Sequence, residues 1–218
     1  MGLNSISKTA GDVLSQTKRI FGDEAGVQVT DTDLFNWINN GQSEIAERQK
    51  INRARISTPV VAGVAEVNLT TTPIEILSIE SIHLGTGTLP NTSFEDAEEY
   101  IFQHDPANVR QGTPQLWYEY ANVVTLWPIP DADGIVTLYI IQKPASVSAP
   151  GDILTIPDKF FNALIQYVLS QAYELDEDWD SAVLKKQEFD NILLGNLNED
   201  KQSQHRVYPF ITVYDEGW

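Results

Sequence analysis

Apolar positions keep helical spacing at both ends of this chain and alternate in its middle, and that change of period is the first guide to the fold. Over residues 8–21, Ala10, Val13, Leu14, Thr17, Ile20 and Phe21 fall at the three- and four-residue spacing of one helix face. Gly22 follows as a stop signal. A second helix is predicted over 31–49. It opens on Thr30-Asp31-Thr32-Asp33, whose hydroxyls and carboxylates can cap free N–H groups, Thr30 and Asp33 forming a loose capping box. Leu34, Ile38 and Ile45 make its buried stripe with Trp37 beside them, while Glu44, Glu47, Arg48 and Lys50 face water.

From Thr58 the period shortens. Val60, Val61, Val64, Val67 and Leu69 precede a break at Thr72-Pro73. Ile74, Ile76, Ile79 and Ile82 then predict a strand whose alternation slips by one residue after Ile76. Gly85 to Thr88 reads as a turn, and Ser93-Phe94-Glu95-Asp96 opens a short helix that runs to about Gln103. Leu116–Tyr120 and Val123–Trp127 flank Ala121-Asn122 as a tight hairpin. Pro128 to Gly134 is a turn; Ile135–Gln142, rich in β-branched and aromatic residues, is a strand. Lys143–Gly151 is a linker rich in Pro, Ser and Ala.

Helical spacing returns at Ile156-Pro157-Asp158, with Pro157 near the first position of a helix expected over 157–175. Its face is Phe160, Phe161, Leu164, Ile165, Val168, Leu169 and Ala172, apolar enough to be central. A fourth helix is expected over 179–194. It turns Trp179, Ala182, Val183, Phe189 and Leu193 inward and stops at Gly195. The four long helices should pack through Leu14, Ile38, Leu164 and Val183.

This order predicts an α+β fold. The N-terminal helices (residues 1–57) and C-terminal helices (151–197) form a bundle around an inserted β-rich module (58–150), and an extended tail follows (198–218). The tail is polar from Asn196 to Gln204 and then crowded with Val207, Tyr208, Phe210, Ile211, Val213, Tyr214 and Trp218. So apolar a segment needs a cover. Its own domain can supply one, or a partner to which it adds as a strand.

Composition narrows the function. The 218 residues carry 14 Lys and Arg against 31 Asp and Glu, a formal charge of −17. A general basic surface for DNA is excluded, because phosphate contacts need clustered cations. An acidic surface either keeps the chain in solution or lets DNA pass without sticking. There is no cysteine, hence no disulfide framework, thiolate metal site or cysteine nucleophile. No run of apolar residues reaches membrane length, and Met1 to Ile20 has no apolar core of a secretory signal.

Candidate chemistry is thin. His83, His104 and His205 form no metal-ligand spacing, and no Gly-x-Ser-x-Gly elbow is present. The acidic clusters Glu95-Asp96-Glu98-Glu99 and Asp176-Glu177-Asp178-Asp180 sit at predicted helix starts, where anions favour the helix dipole. Gly85-x-Gly87 lacks the rest of a phosphate-binding fingerprint. Trp117, Tyr118, Tyr120 and Trp127 suit a core, a subunit contact or a sugar-binding face.

The motifs, in order, resemble the head–tail adaptor (connector) proteins of tailed bacteriophages. The segment Thr32 to Arg48 is similar to the family's early helix. Gly112-Thr113-Pro114 precedes the aromatic strand Trp117-Tyr118-Glu119-Tyr120; Val124-Thr125-Leu126-Trp127-Pro128-Ile129-Pro130-Asp131 follows. Then come Leu138-Tyr139-Ile140-Ile141-Gln142-Lys143-Pro144, and Ile156-Pro157-Asp158 leading into the long apolar helix. The resemblance spans roughly residues 5–195, and the hydrophobic C-terminus departs from the commoner members.

The resemblance implies a structural role and no cofactor. The partners it implies are a portal protein, a tail or nozzle/stopper protein, further copies in a dodecameric ring, and genomic DNA passing without sequence-specific binding. It implies no membrane. The place implied is the neck of the virion, reached after assembly in the host cytoplasm. Val207, Tyr208, Phe210, Ile211, Val213, Tyr214 and Trp218 are then the expected docking residues towards portal or a neighbour. Trp117, Tyr118, Tyr120 and Trp127 are the candidate inter-subunit contacts of the β module. Two readings compete. One is a carbohydrate-binding or tail-fibre-like β module. The other is a hydrolase with two carboxylates roughly 5–10 Å apart in a cleft.

Overall fold

The structure is a computed structural model that describes residues 8–204, except 68, 70–73, 106, 108 and 122, with side chains described as far as Gly195. The fold is α+β. In chain order come α1 (Ala10–Phe21), α2 (Asp31–Gln49), β1 (Arg53–Val60), β2 (Glu66–Val67), β3 (Ile76–Leu84), β4 (Gly87–Leu89), α3 (Phe94–His104), β5 (Gln111–Gly112), β6 (Leu116–Tyr120), β7 (Val123–Trp127), β8 (Ile129–Pro130), β9 (Gly134–Gln142), a 3₁₀ turn (Asp158–Phe160), α4 (Phe161–Leu175) and α5 (Trp179–Gln204). Two compact units result. One comprises residues up to Gln49 with those from Ala145 onwards; the other is Lys50–Pro144.

The helical unit is organised around α4, on which α1, α2 and α5 all pack. Phe160, Phe161, Leu164, Ile165, Val168, Leu169 and Ala172 are all buried, as their spacing predicts. At roughly 1.5–3 kcal/mol for each large side chain removed from water, this stripe is the main stabilising term of the unit. Its first turn is 3₁₀, so the α-helix begins at Phe161 and not beside Pro157.

Caps close the other helices. The Thr9 hydroxyl accepts the Asp12 N–H (3.3 Å) while the Asp12 carboxylate accepts the Thr9 N–H (2.9 Å), and Gly22 ends α1 with φ of 88°. At α2, the Thr30 hydroxyl accepts the Asp33 N–H (3.2 Å) and donates to its carboxylate (2.6 Å).

The linker Lys143–Gly151 is held in place. Val147 N–H donates to Asn39 Oδ1 (2.8 Å) and the Asn39 amide donates back to the Val147 carbonyl (3.0 Å). One turn further along α2, the buried Gln42 accepts the Thr155 N–H (2.9 Å). On the α1 side, Gly11 N–H donates to Pro150 O (2.8 Å) and Leu154 N–H to Lys8 O (3.0 Å).

Two expectations about α5 are corrected. Ala182, Phe189 and Leu193 are buried, but Trp179 and Val183 are exposed. Val183 is rotated by about 100° from Ala182 around the helix. Trp179 is the first residue of α5, at the corner where α4 has already ended. Nor does Gly195 stop the helix, which runs to Gln204, so residues 198–204 are helical and not an extended tail.

The β unit contains a four-stranded sheet of order β1-β9-β3-β4, a three-stranded sheet of order β2-β7-β6 and a short parallel pair, β5-β8. β1 pairs antiparallel with β9 from Arg53↔Ile141 to Val60↔Gly134. It begins at Arg53, ahead of the change of period expected at Thr58. β3 slips in register between Ile76 and Ser78, where the isoleucine spacing predicts it, and again between Ile79 and Ser81. The turn expected over Gly85 to Thr88 is confined to its first half, because Gly87 already belongs to β4. The two larger sheets enclose Val60, Val67, Ile82, Leu89, Trp117, Val124, Leu126, Val136, Leu138 and Ile140. The other face of the β6–β7 pair carries Tyr118 and Trp127 against Ala97 and Ile101 of α3.

Candidate interaction surface

Alternation along β6 decides what its aromatic residues do. Trp117 is 1% exposed, lies between the sheets and donates its indole N–H to Leu89 O (3.2 Å). Tyr118 points to the opposite face, and Trp127 joins it there from β7. Burial pushes the Tyr118 phenol up. Three of the four aromatics expected to make subunit contacts are therefore spent inside their own unit. Tyr120 remains, 59% exposed, and stacks on Phe94 of α3 with ring centroids 4.2 Å apart.

Tyr120 belongs to a larger aromatic face. On α3, Ala97 and Ile101 point inward, while Phe94, Glu98 and Phe102 follow one another at four-residue spacing. Phe102 is 72% exposed. Tyr100 is also exposed, stacks on His104 (4.1 Å) and meets Trp127 edge-on (5.3 Å). Glu95, Glu98 and Glu99 of α3 lie between these rings in sequence and are exposed. Large exposed aromatics rimmed by charge mark a surface that meets another molecule. Phe94, Tyr100 and Phe102 were not among the expected contact residues. The available signal was Phe102, which lies off the inward Ala97–Ile101 stripe.

The histidines and the acidic clusters serve local structure. His104 Nδ1 lies 2.8 Å from the Tyr100 carbonyl, and His83 packs on Tyr139 with centroids 4.7 Å apart. Ser93 Oγ accepts the Asp96 N–H (3.1 Å), and the Asp178 carboxylate accepts the Ser181 N–H (3.2 Å). Both acidic clusters lie at helix starts, where Ser93 caps α3 and Asp178 caps α5. Asp23 is a buried, hydrogen-bonded carboxylate. It accepts the N–H groups of Val27 (2.8 Å), Gln28 (2.9 Å) and Val29 (2.9 Å), and those bonds hold it below the usual carboxylate range.

Among the described residues no group of three or more His, Asp or Glu is placed to hold a metal ion. No described helix is long and apolar enough to cross a membrane. His205 and the expected docking residues Val207, Tyr208, Phe210, Ile211, Val213, Tyr214 and Trp218 lie outside the described residues. No curated protein matches the chain. Residues 8–210 match the family model described as SU10 adaptor protein.

Proposed function

The chain belongs to the SU10 adaptor protein family, a family of phage head–tail adaptors and not of enzymes, and on that premise we propose that it is a ring subunit of the neck. Membership makes it a structural component of a phage virion that meets other virion proteins. In the proposed reading, copies close into a ring, dodecameric to match the portal. The ring sits below the portal, extends the DNA channel and receives the tail. Helices from both ends of the chain form the bundle, the β unit is inserted between them, and residues 205–218 dock on portal or on a neighbour.

The observation that carries this reading is the match over residues 8–210. The aromatic face of the β unit supports it, because an exposed Phe102 and Tyr120 suit a surface that is covered on assembly. So does the charge of −17, since a channel wall that attracted DNA would retard its passage. A cryo-electron microscopy reconstruction of the chain with its portal tests the proposal. Rings with a central hole beneath the portal, lined by more acidic than basic side chains, are expected. Monomers scattered over other virion surfaces, or a lumen dominated by Lys and Arg, overturn it.

A further inference from the structure

The four-stranded sheet of the β unit ends on one side at β1, a strand of eight residues that pairs with β9 and, among the described residues, with no strand beyond it. The register tells which of its backbone groups are free. Asn52 O accepts the Gln142 N–H (3.0 Å) and Arg53 stands opposite Ile141, so the hydrogen bonds to β9 fall at Asn52, Ala54, Ile56, Thr58 and Val60. Arg53, Arg55, Ser57 and Pro59 turn their backbone groups the other way, and all four residues are exposed. An open edge of this kind is a template for another strand.

Charge narrows which strand can fill it. At the start of β1, Lys50 and Arg53 share one carboxylate, Glu80 (3.4 and 3.0 Å), and Arg55 has none among the described residues. At the far end the sign reverses. Asp131 and Asp133 are exposed there, and Asp133 accepts the Ala62 N–H (2.8 Å) just past Val60. A second β1 fits badly, because an antiparallel pair of these edges either sets arginine against arginine or puts Pro59 into the ladder. The chain carries a better match. His205-Arg206 precede Val207–Tyr214, dense in β-branched and aromatic residues, and Asp215-Glu216 follow.

We infer that residues 211–215 of a neighbouring copy add to β1 as an antiparallel strand, with Asp215 opposite Arg53, Val213 opposite Arg55 and Ile211 opposite Ser57. The inference rests on the ring reading and gives the docking segment proposed there its seat. Antiparallel placement brings Asp215 and Glu216 to the arginines and Arg206 towards Asp133, whereas parallel placement sets like charge against like at both ends. In this register Pro209 falls opposite Pro59, beyond the last pair, so neither proline removes a hydrogen bond from the ladder. Thr212 and Tyr214 then share the face of Ala54 and Ile56, which are only half-buried and which Tyr214 would cover. A neighbour's segment is the occupant because a cyclic ring needs two unlike patches on each subunit, here an edge and a strand that fills it.

The test uses the full chain, which has no cysteine of its own. Ser57→Cys and Ile211→Cys are made separately and together, imaged in negative stain at rising concentration with and without portal, and treated with a short bis-maleimide. A maleimide–benzophenone on the Ile211→Cys variant reports any other neighbour. The expected result is rings, covalent pairs from a mixture of the two single variants, monomers from each alone, and a ladder of larger species from the double variant. Arg55→Glu, at an exposed position, should raise the concentration for half-assembly at least tenfold, and adding Asp215→Arg should recover most of that loss. Rings without covalent pairs and without an Arg55→Glu effect overturn the contact and leave the ring reading standing. A double variant whose cysteines join only within one chain also overturns it, because the segment then closes on its own subunit. Capture of portal in place of covalent pairs overturns it and gives the segment to portal. Covalent pairs without rings keep the contact and overturn the ring reading, and neither rings nor pairs under any condition overturns both.

Discussion

The helical unit and the β unit use their side chains in opposite ways. In the helical unit aliphatic side chains pack with Phe160, Phe161 and Phe189, and polar side chains are turned inward to join segments far apart in sequence. Asn39 reaches Val147, Gln42 reaches Thr155, and Asp23 gathers three N–H groups of one loop. Among the described residues, Thr17, Asp23, Gln42 and Ser170 are buried there, against Thr58 alone in the β unit. In the β unit the ladders satisfy the backbone, aliphatic side chains around Trp117 fill the space between the sheets, and Phe102 and Tyr120 face out. One unit spends buried polarity on joining distant segments; the other, closed by its ladders, offers the aromatic face of α3 and β6. Stability and recognition should therefore separate along the chain, and substitutions can probe that division.

Trp117→Ala should have the largest effect. It removes a fully buried indole and leaves Leu89 O without its donor, at a cost of about 3–5 kcal/mol. Amide hydrogen exchange read strand by strand should show the loss in β9 and β7. Equal loss throughout α4 would break the division. Gly41→Val comes next. A Cβ at Gly41 would lie 2.6 Å from Leu164 Cδ1 and 2.8 Å from Tyr167 Cδ1, so the side chains at the α2–α4 contact must shift. Overpacking of this kind costs about 1–3 kcal/mol, which a thermal melt followed at 222 nm would detect.

Asp23→Asn sharpens the contrast through pH. The folded-state pKa is lowered, so the contribution of this carboxylate is fully present above its ordinary value near 3.8. It is lost as the pH falls through the lower folded value. The variant should melt below the parent at pH 7, and the two should converge as the pH drops through the lowered folded value. A gap that persists in acid would show that shape, and not charge, holds the loop. Tyr120→Ala combined with Phe102→Ala should have the smallest effect on stability. Exposed substitutions of this kind stay within about 0.5 kcal/mol. The pair should nevertheless weaken assembly with virion partners at least tenfold in a pull-down titration. A variant that melts several degrees lower would place both rings in the core economy of the unit.

Much of the fold was legible because its elements are long. α1, α2, α3, α4 and the β6–β7 hairpin carry complete periods, and Thr30, Ser93 and Gly22 punctuate them. The slip after Ile76 was readable because four isoleucines mark it. β4, β5 and β8 were not, since two or three residues carry no period. Arg53–Ser57 was missed although Arg53, Ala54, Arg55 and Ile56 alternate, because only Ile56 among them is a strong strand former. α5 passes Gly195 because one glycine costs only about 1 kcal/mol and the Leu, Glu, Lys and Gln residues beyond it favour helix.

The candidate surface was half legible. The aromatic strand was found, but which of its rings face out depends on α3 covering Tyr118 and leaving Tyr120 uncovered. Trp179 was assigned inward on spacing alone. Spacing names a face but not where the neighbouring helix ends, and α4 ends at Leu175.

The clasp between Asn39 and Val147 has a consequence in time. α2 is complete at Gln49, but the helix it packs on is not finished until Leu175. At about 5–20 residues per second, the stripe of Leu34, Ile38 and Ile45 waits for roughly ten seconds while the whole contiguous β unit is made. During that interval Asn39 and Gln42 have nothing to hold. Set beside the stripe, they keep the unpartnered helix wetted until the linker arrives to take up their amides. The residues that close the unit are thus also the ones that guard it while it is open.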